Sequence, residues 1–186
     1  FVLMNLADVR HSLHKQVAAN ATVTSPERQA WIEADEAISL AQQGGHEDLR
    51  VMAILGRVRL CIDAGRLEGQ NLFEHIEFAQ RYAILMDLPR VACDAHELRA
   101  RLLMRQGEYR LSATDATMSL EIAAKYDLKL KKARGLLTLS EVLLNRGEQE
   151  SARTLVAMGR EIAVSADYYA CVRGFKDLEL RLFEAS

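Results

Sequence analysis

At 186 residues, with 49% hydrophobic and 27% charged side chains, the sequence is that of a folded domain or short repeat array, not a disordered chain. A formal charge of −2 lacks the basic excess of a dedicated nucleic-acid binder, so no direct nucleic-acid partner is expected. Cys61, Cys93 and Cys171 are isolated and odd in number, which fits a reducing, cytoplasmic setting better than a disulfide framework.

In chain order, the opening "FVLMNLADVRH" reads as helix, about 3–20, with no basic leader and an early aspartate, so no signal peptide is expected. The start at Phe1 suggests a processed product or a fragment of a longer protein. Asp8, His11 and His14 are spaced for one helix face but offer no fourth ligand, so no metal or cofactor is predicted. "ATVTSPE" supplies a helix start, with Thr24 or Ser25 as N-cap and Pro26 in the first turn. Helices follow at about 26–43, 47–64, 69–86, 89–106, 108–126, 128–146, 149–165 and 168–184, because apolar residues recur three and four apart and no sustained strand alternation intervenes. No uncharged apolar run reaches the roughly 18 residues of a membrane span. The joints are short, so neighbouring helices should run antiparallel.

The joints keep time. "DAGRLE", "RQGEYR" and "NRGEQE" place Gly65, Gly107 and Gly147 at intervals of 42 and 40 residues. Asp87, Asp127 and Asp167 stand 40 apart, each where a new helix should begin and a carboxylate could accept its unpaired first-turn N–H groups. A period near 40, two helices per unit, signals a solenoid. The units are about 1–44, 45–86, 87–126 and 127–166, with a terminal helix over 167–186, in one domain spanning 1–186.

Aligned by this period, the second helices place Ala37, Ala79, Ser119 and Gly159 in one column of small residues. Ala30, Leu72, Ser112 and Ala152 lie seven residues earlier, with Ala34, Ile76, Ala116 and Val156 between. Leu40, Tyr82, Ile122 and Ile162 follow on the same face. Small side chains there let a neighbouring helix approach closely. In the first helices Leu60, Leu102 and Val142 align, each followed by further apolar residues.

Glycine at the turn and small residues five and twelve positions later resemble the tetratricopeptide repeat (TPR) pattern. "NRGEQESARTLVAMG" carries it with Gly147, Ala152 and Gly159, and "RQGEYRLSATDATMS" with Gly107, Tyr109, Ser112 and Ser119. The 40-residue period departs from the usual 34, and the first-helix tryptophan and small residue are mostly missing; the period resembles the longer-helix variety found in arms of bacterial signalling ATPases and regulators. The resemblance implies an all-α, right-handed superhelix of about nine helices whose concave surface, lined by the first (A) helices, binds a peptide or partner helix. The family's groove positions fall on Arg59 and Asp63, then Asp94, Glu97, Arg101 and Arg105, then Arg134, Glu141 and Asn145, with Asp177 and Arg181 on the last helix. Arginines on rigid helices can grip carboxylates bidentately. The alternative role is a sensor or regulatory arm of a larger bacterial signalling ATPase or transcription regulator, where the array closes on its own neighbouring domain or binds a small effector.

Two further stretches stand out. "LKLKKAR" sets Lys129, Lys131, Lys132 and Arg134 in the first turns of a helix, where cations oppose the helix dipole; a solvated face is the first reading and an acidic partner the second. In the terminal helix, Tyr168, Cys171, Phe175, Leu178 and Leu182 form a core stripe, while Val172, Leu180 and Phe183 stay apolar outside it. A capping helix should turn a polar face outward, so further repeats, a docking partner or a homodimer is expected there. No GxSxG, P-loop, GxGxxG or recognised Cys/His signature appears, and no enzymatic activity is predicted.

Overall fold

The computed structural model describes residues 26–67 and 71–184. Every regular element among them is an α-helix: α1 (Pro26–Gln43), α2 (Glu47–Asp63), α3 (Leu72–Leu85), α4 (Pro89–Arg105), α5 (Tyr109–Lys125), α6 (Lys129–Asn145), α7 (Gln149–Ser165) and α8 (Tyr169–Glu184). The expected helix over 3–20 lies outside the described residues, as do Asp8, His11, His14, Thr24 and Ser25. The remaining eight expected helices are present, and within each of two units helices adjacent in sequence pack on one another, as in an all-α helical repeat.

One device ends each of the first seven helices. A residue in left-handed backbone conformation follows each of α1 to α7, and the next N–H reaches back five residues to a carbonyl of the last turn. Gly107 (φ 79°) does this between α4 and α5, with Glu108 N–H donating to the Leu103 carbonyl at 3.0 Å. Asp127 (φ 49°) does it between α5 and α6, with Leu128 N–H donating to the Ala123 carbonyl at 2.8 Å. The aspartate role expected from the sequence is therefore corrected. Asp87, Asp127 and Asp167 terminate the preceding helix, and at Leu88 and Leu128, the residues that start α4 and α6, no side-chain cap is made. Aspartate can do this because its short polar side chain makes it one of the few non-glycine residues at home in the left-handed region.

The chain forms two compact units, divided between Arg66 and Leu67. In the first, α1 packs on α2. The Arg57 and Arg66 guanidiniums lie 5.9 and 5.5 Å from the Trp31 ring centroid, and Arg57 Nε is 2.7 Å from Asp35 Oδ1. Arg59 and Asp63 sit on α2, half-buried and exposed respectively.

In the second unit, α3 to α8 pack in sequence, and α4, α6 and α8 also contact one another in turn. The α4/α5 hairpin is antiparallel in register: the Ser119 hydroxyl donates to the Cys93 carbonyl (3.0 Å), His96 meets Asp115, and the Ser112 hydroxyl donates to the Ala100 carbonyl (2.6 Å). Close approach of backbones needs small side chains, and Ala79, Ser112, Ser119, Ala152 and Gly159 are all buried. The small column meets the next A helix at a repeated position. A Cβ on Gly135 of α6 would lie 3.7 Å from Ser119 Oγ, and one on Gly159 would press into the Phe175 ring, 40 residues after Gly135. Ala34, Ile76, Ala116 and Val156 are buried as well, whereas the larger residues after the small column stand half-buried at Tyr82, Ile122 and Ile162 and exposed at Leu40.

Candidate functional site

Parallel A helices spaced one repeat apart bring residues about 40 positions apart in sequence side by side, and the polar side chains of α4, α6 and α8 meet on that surface. Asp94 on α4 receives Lys131 Nζ at 2.5 Å and Arg134 NH1 at 3.4 Å, both from α6. Arg134 also donates to the Tyr168 hydroxyl, just ahead of α8, and its guanidinium lies 5.7 Å from the Tyr168 ring centroid. Burial works against the Arg134 charge. Attraction from Glu97, Tyr168 and Asp94 outweighs it, with the Tyr168 hydrogen bond, and raises its pKa above the ordinary arginine value.

A second layer lies one turn on. Glu97 is buried, accepts the Thr138 hydroxyl at 3.3 Å and lies 3.8 Å from Arg101 Nε. Arg101, Glu141 and Arg181 then occupy one repeat column, 40 residues apart on α4, α6 and α8. Their charges alternate in sign. Burial pushes the Glu141 carboxyl up; Arg101, Arg181 and Arg105 pull it down and Glu97 adds to the rise, and the net is a raised pKa. Three guanidiniums, Arg101, Arg105 and Arg181, act on this carboxyl against the two carboxyls of Glu97 and Glu141, so the group carries more cationic than anionic side chains. Arg105 and Arg181 are exposed, as is Asn145 at the end of α6.

Of the residues selected from the sequence, Asp94, Glu97, Arg101, Arg105, Arg134 and Glu141 thus fall on one surface of the second unit. Among them Asp94, Glu97 and Arg134 are joined to neighbouring helices, Arg101 and Glu141 are half-buried, and Arg105 is exposed, as is Arg181 on α8. Lys131, Thr138 and Tyr168 complete the surface and were missed as its members. Lys131 and Arg134 of the basic cluster are bound to Asp94, which offsets their unfavourable place at a helix start.

A separate cluster joins three helices. His96 Nδ1 is 2.8 Å from Asp115 Oδ1 and 3.2 Å from Gln80 Nε2, and Arg99 Nε is 3.6 Å from Asp115 Oδ2. These contacts tie α3 and α5 to α4. Among the described residues no group of three or more His, Cys, Asp or Glu stands where it could hold a metal ion, and no helix is long and apolar enough to cross a membrane. Cys61, Cys93 and Cys171 are buried and free; burial pushes the Cys93 thiol up to about 11, and Asp94 adds to the rise against Lys131.

These features define a helical-repeat protein with a charged surface built across its A helices. Comparison with protein-family models, with curated proteins and with solved structures finds no match to this chain.

Proposed function

We propose that this chain is a TPR-like, non-enzymatic interaction module that holds an acidic peptide or the acidic end of a partner helix on the surface of α4, α6 and α8. The observation that carries this reading is the arginine group around Glu141. Arg101 and Arg105 on α4 and Arg181 on α8 all act on one carboxyl of α6, so a ligand carboxylate placed there would meet several guanidiniums at once. The joined residues beneath, Asp94, Arg134, Glu97 and Thr138, fix the helices that carry them. Three buried free thiols support placement in a reducing, cytoplasmic compartment. The uncovered face of α8 belongs in the same reading to self-association.

The test uses a fluorescein-labelled peptide rich in Asp and Glu with a free C-terminal carboxylate, measured by anisotropy. Arg105→Glu with Arg181→Glu is the informative pair, because both side chains are exposed and their reversal leaves the Glu97 contacts intact. Charge-assisted contacts contribute about 1.5–3 kcal/mol each, so affinity should fall at least tenfold while the circular dichroism stays unchanged. An affinity indifferent to the double reversal and to added salt would reject this site.

A further inference from the structure

In the α4/α5 and α6/α7 hairpins the A helix lies under its own B helix along one stripe. On α4 the stripe is His96, Ala100 and Leu103: Asp115 meets His96, Ser112 sits on the Ala100 carbonyl, and the Leu103 carbonyl receives Glu108 N–H. On α6 the same positions are Leu136, Ser140 and Leu143, the two leucines packing in one core with Ala152 and Val156 of α7. One repeat further they become Lys176, Leu180 and Phe183 on α8. Here Leu180 is 64% and Phe183 83% exposed, and Tyr169, on the same stripe, is 77% exposed. Half-buried Val172 forms its shoulder. The opposite side of α8 is already spent on the core through Cys171, Phe175, Leu178 and Leu182.

The residue at the centre of the stripe indicates what covers it. Ala100 and Ser140 are small and fully buried, and α5 comes near enough for Ser112 to reach the Ala100 carbonyl. Leu180 takes that place on α8. A B-type helix with a small-residue seam cannot come so close over a leucine. Large side chains instead suit interdigitation at the wide end of the roughly 8–10 Å range of helix separations. The stripe is also self-complementary. Turned antiparallel about Lys176, it sets Tyr169 against Phe183 and Val172 against Leu180, each pair formed twice. Arg173 and Asp177, both exposed, flank one edge, and the twofold brings Arg173 of each copy within about half a helical turn of Asp177 of the other. The two ammonium groups at the axis repel, which keeps the pairing weak.

We propose that α8 pairs antiparallel with α8 of a second copy of this chain, across a twofold axis at Lys176. This deepens the self-association reading by fixing its register, and it is independent of the acidic-peptide surface. A single 16-residue helix pair lies at the small end of protein interfaces, so the dimer is concentration-dependent.

Sedimentation equilibrium on the full 186-residue chain tests it, with a mass rising above 20.9 kDa toward twice that value as concentration increases. Leu180→Glu with Phe183→Glu abolishes the rise without loss of helix, since both side chains are exposed. Lys176→Leu shifts it to at least tenfold lower concentration. Lys176→Cys forms a disulfide-linked dimer on mild oxidation, and Arg181→Cys, on another face, does not. A mass fixed at the monomer value at every concentration overturns the proposal and gives the face to a different helix. Dimers in which Arg181→Cys links as fast as Lys176→Cys overturn the register while self-association stands. Arg105→Glu with Arg181→Glu leaves the mass curve unchanged, so the peptide-binding reading can fail without this one.

Discussion

Gly159→Ala examines the seam between α7 and α8 with a single methyl group. A Cβ at Gly159 would stand 2.6 Å from Phe175 Cε1 and 3.0 Å from Cε2, with Cζ nearer still. Carbon atoms rest at about 3.5–4.0 Å, so the ring or the helix must move by roughly an ångström. Phe175 is fully buried and has no open side to retreat into. Overpacking of this kind costs about 1–3 kcal/mol, and the aromatic neighbour places it in the upper half of that range. Replacing a mid-helix glycine by alanine returns about 1 kcal/mol through propensity. The net is a loss of about 1–2 kcal/mol, or roughly 2–8 °C in Tm for a chain of this size. Urea unfolding followed by far-ultraviolet circular dichroism measures it. Phe175→Leu supplies the second edge of a double-mutant cycle, since the smaller side chain vacates the space and the alanine should then cost less. A Gly159→Ala midpoint equal to or above wild type would refute the reasoning. So would an identical cost in the Phe175→Leu background, which would mean that the ring is not what the methyl meets.

Glu141→Gln bears on the charged column. A carboxyl whose folded pKa is raised contributes stability below its unfolded pKa of about 4.3 and loses it as pH rises through the folded value. Wild-type stability should therefore decline over that window and the Gln variant should not, as paired urea melts across it would reveal; parallel pH profiles would count against a raised Glu141. Ser112→Ala removes the 2.6 Å bond to the Ala100 carbonyl without filling the seam, and a loss of about 1 kcal/mol in urea is expected. Thiol labelling of native protein with a chromogenic disulfide should be slow at all three cysteines, because all are buried and burial raises the Cys93 and Cys61 thiols; rapid stoichiometric reaction without denaturant would contradict their placement.

The helices and their pairing were legible because apolar periodicity and the glycine joints act locally, within a few residues of the positions they shape. The small column was legible for a related reason: Ser119 and Gly159 sit at equal offsets from Gly107 and Gly147, so one alignment sets both. The aspartates were read at the wrong end of the joint. A carboxylate between two helices can cap the next one or end the last, and only the positive φ at Asp87, Asp127 and Asp167 separates these. The ladder through Lys131, Asp94, Arg134 and Tyr168 was hidden because its partners lie 34 to 40 residues apart. A signal was present nonetheless. Asp94 and Arg134 share a repeat column with opposite charges, and Arg101, Glu141 and Arg181 alternate in sign down another. Opposite charges in one column of parallel helices predict contact between neighbouring repeats.

The role of the α4, α6 and α8 surface is tested most directly by chemical-shift mapping. Amide resonances of the isotopically labelled chain would be followed as the acidic peptide is added. The expected shifts lie on the surface that carries Arg101, Arg105, Glu141 and Arg181, with α5 and α7 outer positions such as Leu111, Met118 and Met158 unmoved. Shifts concentrated on those outer positions, or none anywhere at saturating peptide, would contradict it.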